Sequence, residues 1–394
     1  MSEWKECKLE DVSEVQTGPF GSQLHMRDYK SVGTPIITVE HIGDNRIIHT
    51  DLPLVCEEDR TRLKKYSLKT GDIVFSRVGS VDRCAYVHET ENGWMFSGRL
   101  LRVRSNLEKI DPRFLSFYFN QESFKETIRM IAVGATMPSI NTSIMSEVDL
   151  FLPPLPEQRA IAGVLSSLDD KIDLLNRQNK TLEGMAEALW RKMFVEEADR
   201  GWRKGRLEDL GRIVCGKTPS KKIPEYFGGN IPFIKIPDMH GKVFIIQTED
   251  SLTETGRDSQ SNKTLPAKSI CISCIATVGL VCLNSVASQT NQQINSIIPN
   301  KESYRYFLFF LMRNMKDDLS ARASGGTATD NLNTGDFSRI EASIPPDDVA
   351  DEFNKVVEPI FYKVFVNTVQ TQNISHLRDT LLPKLMSGEV RVKS

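Results

Sequence analysis

The sequence predicts an α+β protein: two mixed α/β domains related by internal duplication, separated by two long antiparallel helices that form a coiled coil. Three observations carry this reading. The chain repeats itself at a fixed offset, each repeat ends in a long heptad-patterned stretch, and each half holds the same succession of strand-like and buried-helix segments.

The repeat is read directly. "GATMPSINTSIMSEVDLFLPP" (Gly134 to Pro154) aligns with "GTATDNLNTGDFSRIEASIPP" (Gly326 to Pro346), with Gly134/Gly326, Asn141/Asn333, Thr142/Thr334, Ser146/Ser338, Pro153/Pro345 and Pro154/Pro346 identical. Apolar Ile140/Leu332, Val148/Ile340 and Leu152/Ile344 match in kind, and the register runs on through Ile161/Phe353, Leu168/Ile360, Gln178/Gln370 and Leu189/Leu381. The starts repeat as well, "WKECKLEDVSEVQTG" from Trp4 answering "WRKGRLEDLGRIVCG" from Trp202. The boundaries that follow are a first domain at 1–152, a first long helix at 153–198, a second domain at 199–344, and a second long helix with a C-terminal tail at 345–394.

Within the domains, "TPIITVEHI" and "IPFIKIPDM" read as corresponding strands, as do "DIVFSRVGS" and "SICISCIATVG". "FLSFYFN" and "YFLFFLMRNM" read as buried helices near the end of each domain. After Pro153 and Pro154, Leu165, Leu168, Ile172, Leu175, polar Asn179, Leu182, Ala186, Leu189 and Met193 alternate by three and four, which predicts a helix from Arg159 to Val195. The second stripe, from Val349 to Met386, carries Val357, Ile360, Val364, Asn367, Thr371, Ile374, Leu381 and Leu385. Two such seams in one chain bury each other most simply as an antiparallel pair, and the one polar position of the first seam, Asn179, can fix the register. The alternative is that each helix packs on its own domain.

"GRIVCGKTPS" (Gly211 to Ser220) matches the phosphate-loop pattern G-x-x-x-x-G-K-[ST]. That pattern carries chemistry only between a strand and a helix N-terminus, and here Pro219, Pro224, Gly228 and Gly229 break any helix that could follow. The repeat decides the matter: Gly216 corresponds to Gly18, where "TGPFGS" keeps the turn and lacks the Lys. An ATP site is therefore rejected.

The composition, with 26% charged and 40% hydrophobic residues and a net charge of -2, is that of an ordinary globular protein and gives no global nucleic-acid signature. The opening residues lack an apolar leader and "YFLFFLM" is too short to span a bilayer, so the expected location is cytoplasmic. Seven cysteines without regular spacing argue against a disulfide framework, and Cys271 and Cys274 read as parts of a buried strand, not as a metal pair. No [DNS]-P-P-[YFW], no H-E-x-x-H and no G-x-S-x-G occurs, so this chain is expected not to be an enzyme and to hold no metal or catalytic residue.

Duplicated polar-looped domains suit duplex DNA, whose symmetry lets two readers contact two half-sites. The candidate DNA-binding residues in the first half are Gln23, Arg27, Arg77, Arg83 and Arg99, with Arg102 and Arg104 in the same turn-like "GRLLRVR". In the second half they are Lys217, Lys221, Lys222, Gln289, Asn291 and Gln292, with Gln293 beside them. Arg on guanine and Asn or Gln on adenine are the side chains that read base edges, while a phosphate contact is the commoner role of any single one.

The motifs "GPFGSQL", "LKTGDIVFSRVGS", "GATMPSIN", "LPPLPEQRAIAGVLSSLDDKIDLLNRQ", "GKTPSKKIPEYFGGNIPFIKI" and "SQTNQQINSIIP" resemble the specificity subunits of Type I restriction-modification systems over nearly the whole chain. The resemblance implies two target-recognition domains, each reading half of a bipartite double-stranded DNA site, joined by helices on which modification subunits dock, two of them expected. It also implies that adenine-N6 methylation with S-adenosylmethionine, and ATP- and Mg-dependent translocation and cleavage by restriction subunits, belong to the partners. Pro154, Glu157, Gln158 and Arg159 are the expected docking residues. "IPPDDVA" replaces "LPPLPEQ" after the second domain, so docking is expected to differ there. A DNA-independent coiled-coil scaffold or adaptor is the alternative function.

Overall fold

A computed structural model describes residues 4–21, 23–324 and 331–392, so Gly326 of the repeat lies outside the described residues. The contacts divide the chain into two units, Met1–Lys171 with Ile374–Ser394, and Ile172–Asn373. Each unit holds one repeated domain together with a stretch of both long helices.

In the first unit an antiparallel sheet orders Ser13–Thr17, Leu100–Ser105, Ile73–Ser76 and Cys84–Tyr86. A second sheet orders Leu54–Val55, Thr34–Ile37 and Met95–Phe96, the last pair running parallel. Lys5–Lys8 pairs with Asp149–Leu152, which stitches the start of the domain to its end. The run Ile73, Val74, Phe75 is apolar throughout because both faces are covered: Ile73 and Phe75 enter one core, Val74 the other.

The second unit repeats this topology. Gly211–Cys215, Ile294–Pro299, Ile270–Ser273 and Val281–Asn284 follow the same order, with Phe244–Ile245 added in parallel at the edge. Asp250–Leu252, Phe227–Ile234 and Gln289–Thr290 form the second sheet, and Arg203–Arg206 pairs with Glu341–Ile344. Cys271 lies on the strand Ile270–Ser273 while Cys274 follows directly after its end, and the two fall into different cores.

The buried helices are Pro112–Asn120 and Tyr304–Asn314. Asp111 caps the former, its Oδ1 accepting from the backbone N–H groups of Arg113 and Phe114 at 3.0 Å each.

The first long helix runs Leu155–Arg191 and passes into a π turn at Lys192–Glu196; the second runs Asp347–Met386. The first begins one turn earlier than its apolar period indicated. Pro156 occupies its opening turn, where a missing N–H has no intrahelical acceptor to lose. Inside the first unit, Ile161, Ala162 and Leu165 share a core with Leu385 and Met386, and Arg378 pairs with Asp169 at 2.8 Å. Inside the second unit, Asn179 meets Asn367 at 2.9 Å and the rings of Phe194 and Phe353 lie 5.0 Å apart, so the two helices run antiparallel. The same seam residues also enter the domain cores, so pairing and domain packing occur together. Among the described residues no helix is long and apolar enough to cross a membrane.

Candidate nucleic-acid interface

Four loop segments meet beyond the ends of the sheet strands in each unit, held by backbone hydrogen bonds. In the first unit Gly18 N donates to Leu100 O (3.2 Å), Ser97 N to Ile37 O (2.9 Å), Arg77 N to Arg99 O (2.9 Å) and Ile140 N to Arg77 O (3.0 Å). In the second unit Gly216 N donates to Ile294 O (3.1 Å), Asn291 N to Ile234 O (3.1 Å), Cys274 N to Gln293 O (2.9 Å) and Leu332 N to Cys274 O (2.9 Å). The frames match bond for bond. Their side chains do not: Arg77 corresponds to Cys274, Arg99 to Gln293 and Phe20 to Thr218.

The shared glycine now has a cause. A Cβ on Gly18 would stand 2.2 Å from Ser97 O, and one on Gly216 would stand 2.1 Å from Asn291 O. Close backbone approach, not phosphate binding, selects Gly at both places. The N–H groups of Gly216 and Lys217 already donate to Ile294 O and Thr290 O, the Thr218 hydroxyl donates to Gln292 Oε1 at 2.8 Å, and no helix follows before the short 3-10 turn at Pro224–Tyr226. The phosphate-loop reading fails on geometry as well as on sequence.

Of the sequence candidates, Arg27, Arg99, Lys217, Lys221, Lys222 and Gln292 are exposed, and Arg77 is half-buried. Gln23 pins its loop, its Oε1 accepting from the Tyr66 hydroxyl at 2.9 Å. Arg83 is half-buried and donates to the carbonyl of Ile42.

Two candidates are corrected outright. Gln289 is fully buried, its Nε2 donating to Arg257 O, Gln260 O and Thr264 Oγ1 and its Oε1 accepting from Gln260 Nε2, which leaves nothing for a base. Asn291 is buried and closes its own turn, bonding Gln293 through both Nδ2 (2.8 Å) and Oδ1 (3.1 Å). The segment "GRLLRVR" is a strand, not a turn, beyond its first two residues. Arg102 is buried against Glu14 at 3.0 Å, and Arg104 grips buried Asp72 through two bonds of 2.7 Å. That carboxylate raises the guanidinium pKa of Arg104 above its usual value, whereas burial lowers that of Arg102.

The docking set divides too. Pro154 and Arg159 are exposed. Gln158 is buried, its Nε2 donating to Pro153 O (2.8 Å) and its Oε1 accepting from Asp111 N (2.9 Å), so it ties the long helix to the domain. Glu157 is buried 3.7 Å from Arg391. In the second unit Asp347 makes the equivalent tie by accepting from the Tyr304 hydroxyl at 2.7 Å and from Lys301. "IPPDDVA" thus keeps the anchor with other residues.

Sequence reasoning missed Phe20, which is 51% exposed with the Arg77 guanidinium 5.2 Å from its ring centroid. An aromatic between Pro19 and Gly21 in a turn was the available signal.

A family model described as the Type I restriction modification DNA specificity domain matches the chain twice, at residues 1–184 and 199–364. The chain belongs to that family. The specificity subunit is 34% identical over 470 residues to the Type I restriction enzyme HindI specificity subunit of Haemophilus influenzae, covering 99% of this chain and 100% of the relative. It is 25% identical to the MjaIX specificity subunit of Methanocaldococcus jannaschii, over 99% and 94% of the two chains. The S subunit from M. genitalium has the same fold, with a TM-score of 0.67 at 16% identity, over 98% of this chain and 96% of that one. As a specificity subunit the chain recognises DNA sequence, and its two family matches fall on the two repeated domains.

Proposed function

We propose that this specificity subunit reads a bipartite double-stranded DNA site, one half per domain, and directs adenine-N6 methylation and restriction carried out by partner subunits. The observation that carries the reading is the duplicated loop frame: identical backbone bonds hold different side chains, which is what two readers of unlike half-sites require. Among the candidate residues, Arg27, Arg77, Arg99, Lys217, Lys221, Lys222 and Gln292 are the exposed or half-exposed side chains left available to DNA.

The partners in this reading are two modification subunits, which supply S-adenosylmethionine chemistry, and restriction subunits, which supply ATP- and Mg-dependent translocation and cleavage. Exposed Pro154 and Arg159 remain the docking candidates on the first long helix. A DNA-independent scaffold has no observation in its favour. The test is electrophoretic shift of random duplex and of a duplex carrying the genomic methylation motif, with and without co-purified modification subunits. Motif-dependent retention supports the reading; equal retention of both duplexes contradicts it.

A further inference from the structure

Phe20 and Arg77 form a pair in the first loop frame that the second frame lacks. The Arg77 guanidinium lies 5.2 Å from the Phe20 ring centroid, and its Nη1 donates to Gly98 O at 3.4 Å. Its backbone N and O are both fixed, to Arg99 and Ile140. Among the described residues no carboxylate stands within ion-pair distance of Arg77, whereas Arg60, Arg62, Arg102, Arg104 and Arg129 of the same unit each pair with one. Its Nε is buried without a partner.

A guanidinium held 5.2 Å from the centroid of an exposed ring, on a fixed backbone and with no neutralising acid, is preorganised to present its fork. With Nε buried and one Nη1 hydrogen turned to Gly98 O, the fork presented is the terminal Nη1/Nη2 edge, whose two parallel N–H donors match the O6 and N7 acceptors of guanine. Adenine would set its N6 donor against one of them. A phosphate contact needs neither planarity nor a stacking partner, and exposed Arg27 and Arg99 suit it.

We propose that Arg77 is the specificity-determining residue for a guanine in the half-site read by residues 1–152, and that Phe20 is the positioning residue that holds its guanidinium in place. Cys274 occupies the matching place in the second frame, where it is 2% exposed and has no fork to present, so this readout is confined to one half. The inference rests on the reading of one domain per half-site.

The test uses the full chain assembled with its modification subunits. Replacing Gly205 to Ile344 with a relative's domain first assigns each half of the methylated motif to its domain. Binding is then measured across a salt series on duplex oligonucleotides with every motif position substituted in turn. The unaltered complex should discriminate for one guanine in the first half. Arg77→Ala should lose that discrimination, on the order of 10- to 100-fold, at that base pair alone and with the salt slope unchanged. Phe20→Ala should weaken discrimination at the same pair, and Phe20→Tyr should retain it. If Arg77→Ala fails to assemble, Arg77→Lys and the two Phe20 variants carry the same comparison. Uniform weakening of all duplexes with a salt slope lower by about one would make Arg77 a phosphate contact and overturn the proposal. So would an unchanged preference, or a first half without guanine. A change confined to the other half would instead contradict the assignment of domains to half-sites.

Discussion

Asn367 donates its side-chain amide to Asn179 Oδ1 at 2.9 Å, from a position that is fully buried on the second long helix. Each asparagine interrupts a largely apolar seam, and the two asparagines face each other. The pair fixes the alignment of the helices because any slip of either would set an amide against an apolar neighbour. Asn367→Leu should therefore destabilise the protein by about 1 kcal/mol, since it leaves Asn179 Oδ1 without its donor, whereas the double change Asn179→Leu with Asn367→Leu should match or exceed the parent. Urea unfolding midpoints report both; a double variant weaker than either single would contradict the account.

Arg104 and Arg77 are alike in sequence context and opposite in role. Arg104→Ala leaves the buried Asp72 carboxylate without its two-pronged partner and should cost about 3 kcal/mol, lowering the melting temperature. Arg77→Ala removes no ion pair and should leave the melting temperature nearly unchanged. Thermal unfolding of the two variants side by side decides this, and equal losses would count against it.

Lys217→Ala should leave the isolated chain as it is toward ATP, with no saturable binding before or after, because the amides of Gly216 and Lys217 are already engaged. Gly216→Ala, in contrast, drives a methyl group into Asn291 O and Thr290 and should disrupt the second loop frame. Calorimetric titration with ATP and amide exchange across 289–293 measure the two effects. Saturable ATP binding lost on Lys217→Ala would reverse the conclusion.

Burial pushes the thiol pKa up to about 12 for Cys84 and Cys271 and up to about 11 for Cys274. A raised thiol pKa means that the reactive thiolate is scarce below it, so at pH 8 these three should resist iodoacetamide in the native protein. Half-buried Cys56 and Cys215 should be modified first. Mass spectrometry of the alkylated chain reads the order, and early modification of Cys271 would be inconsistent with its place in the sheet.

Much of the fold is legible in the sequence because periodicity and repetition report burial directly. The seam that contains Asn179 and Asn367, the buried helices and the paired strands all follow from where apolar residues recur. The candidate site was legible less far. Polarity does not distinguish Gln289, which spends every hydrogen-bonding group inside the domain, from Gln292 three residues on, which faces solvent. Likewise Gln158 belongs to a conspicuous motif yet serves to tie helix to domain, a role set by tertiary contact with Asp111 that no local pattern encodes. Phe20 escaped notice for the converse reason: an apolar residue is read as core until its exposure is known.

The central claim is that the two loop frames read separate halves of one DNA site. Replacing Gly205 to Ile344 with the matching domain of a relative, assembling the chimera with its modification subunits in cells, and sequencing the methylated genomic motif tests it most directly. The account predicts a motif altered in one half and identical to the parent in the other. A motif changed in both halves, or in neither, would contradict it.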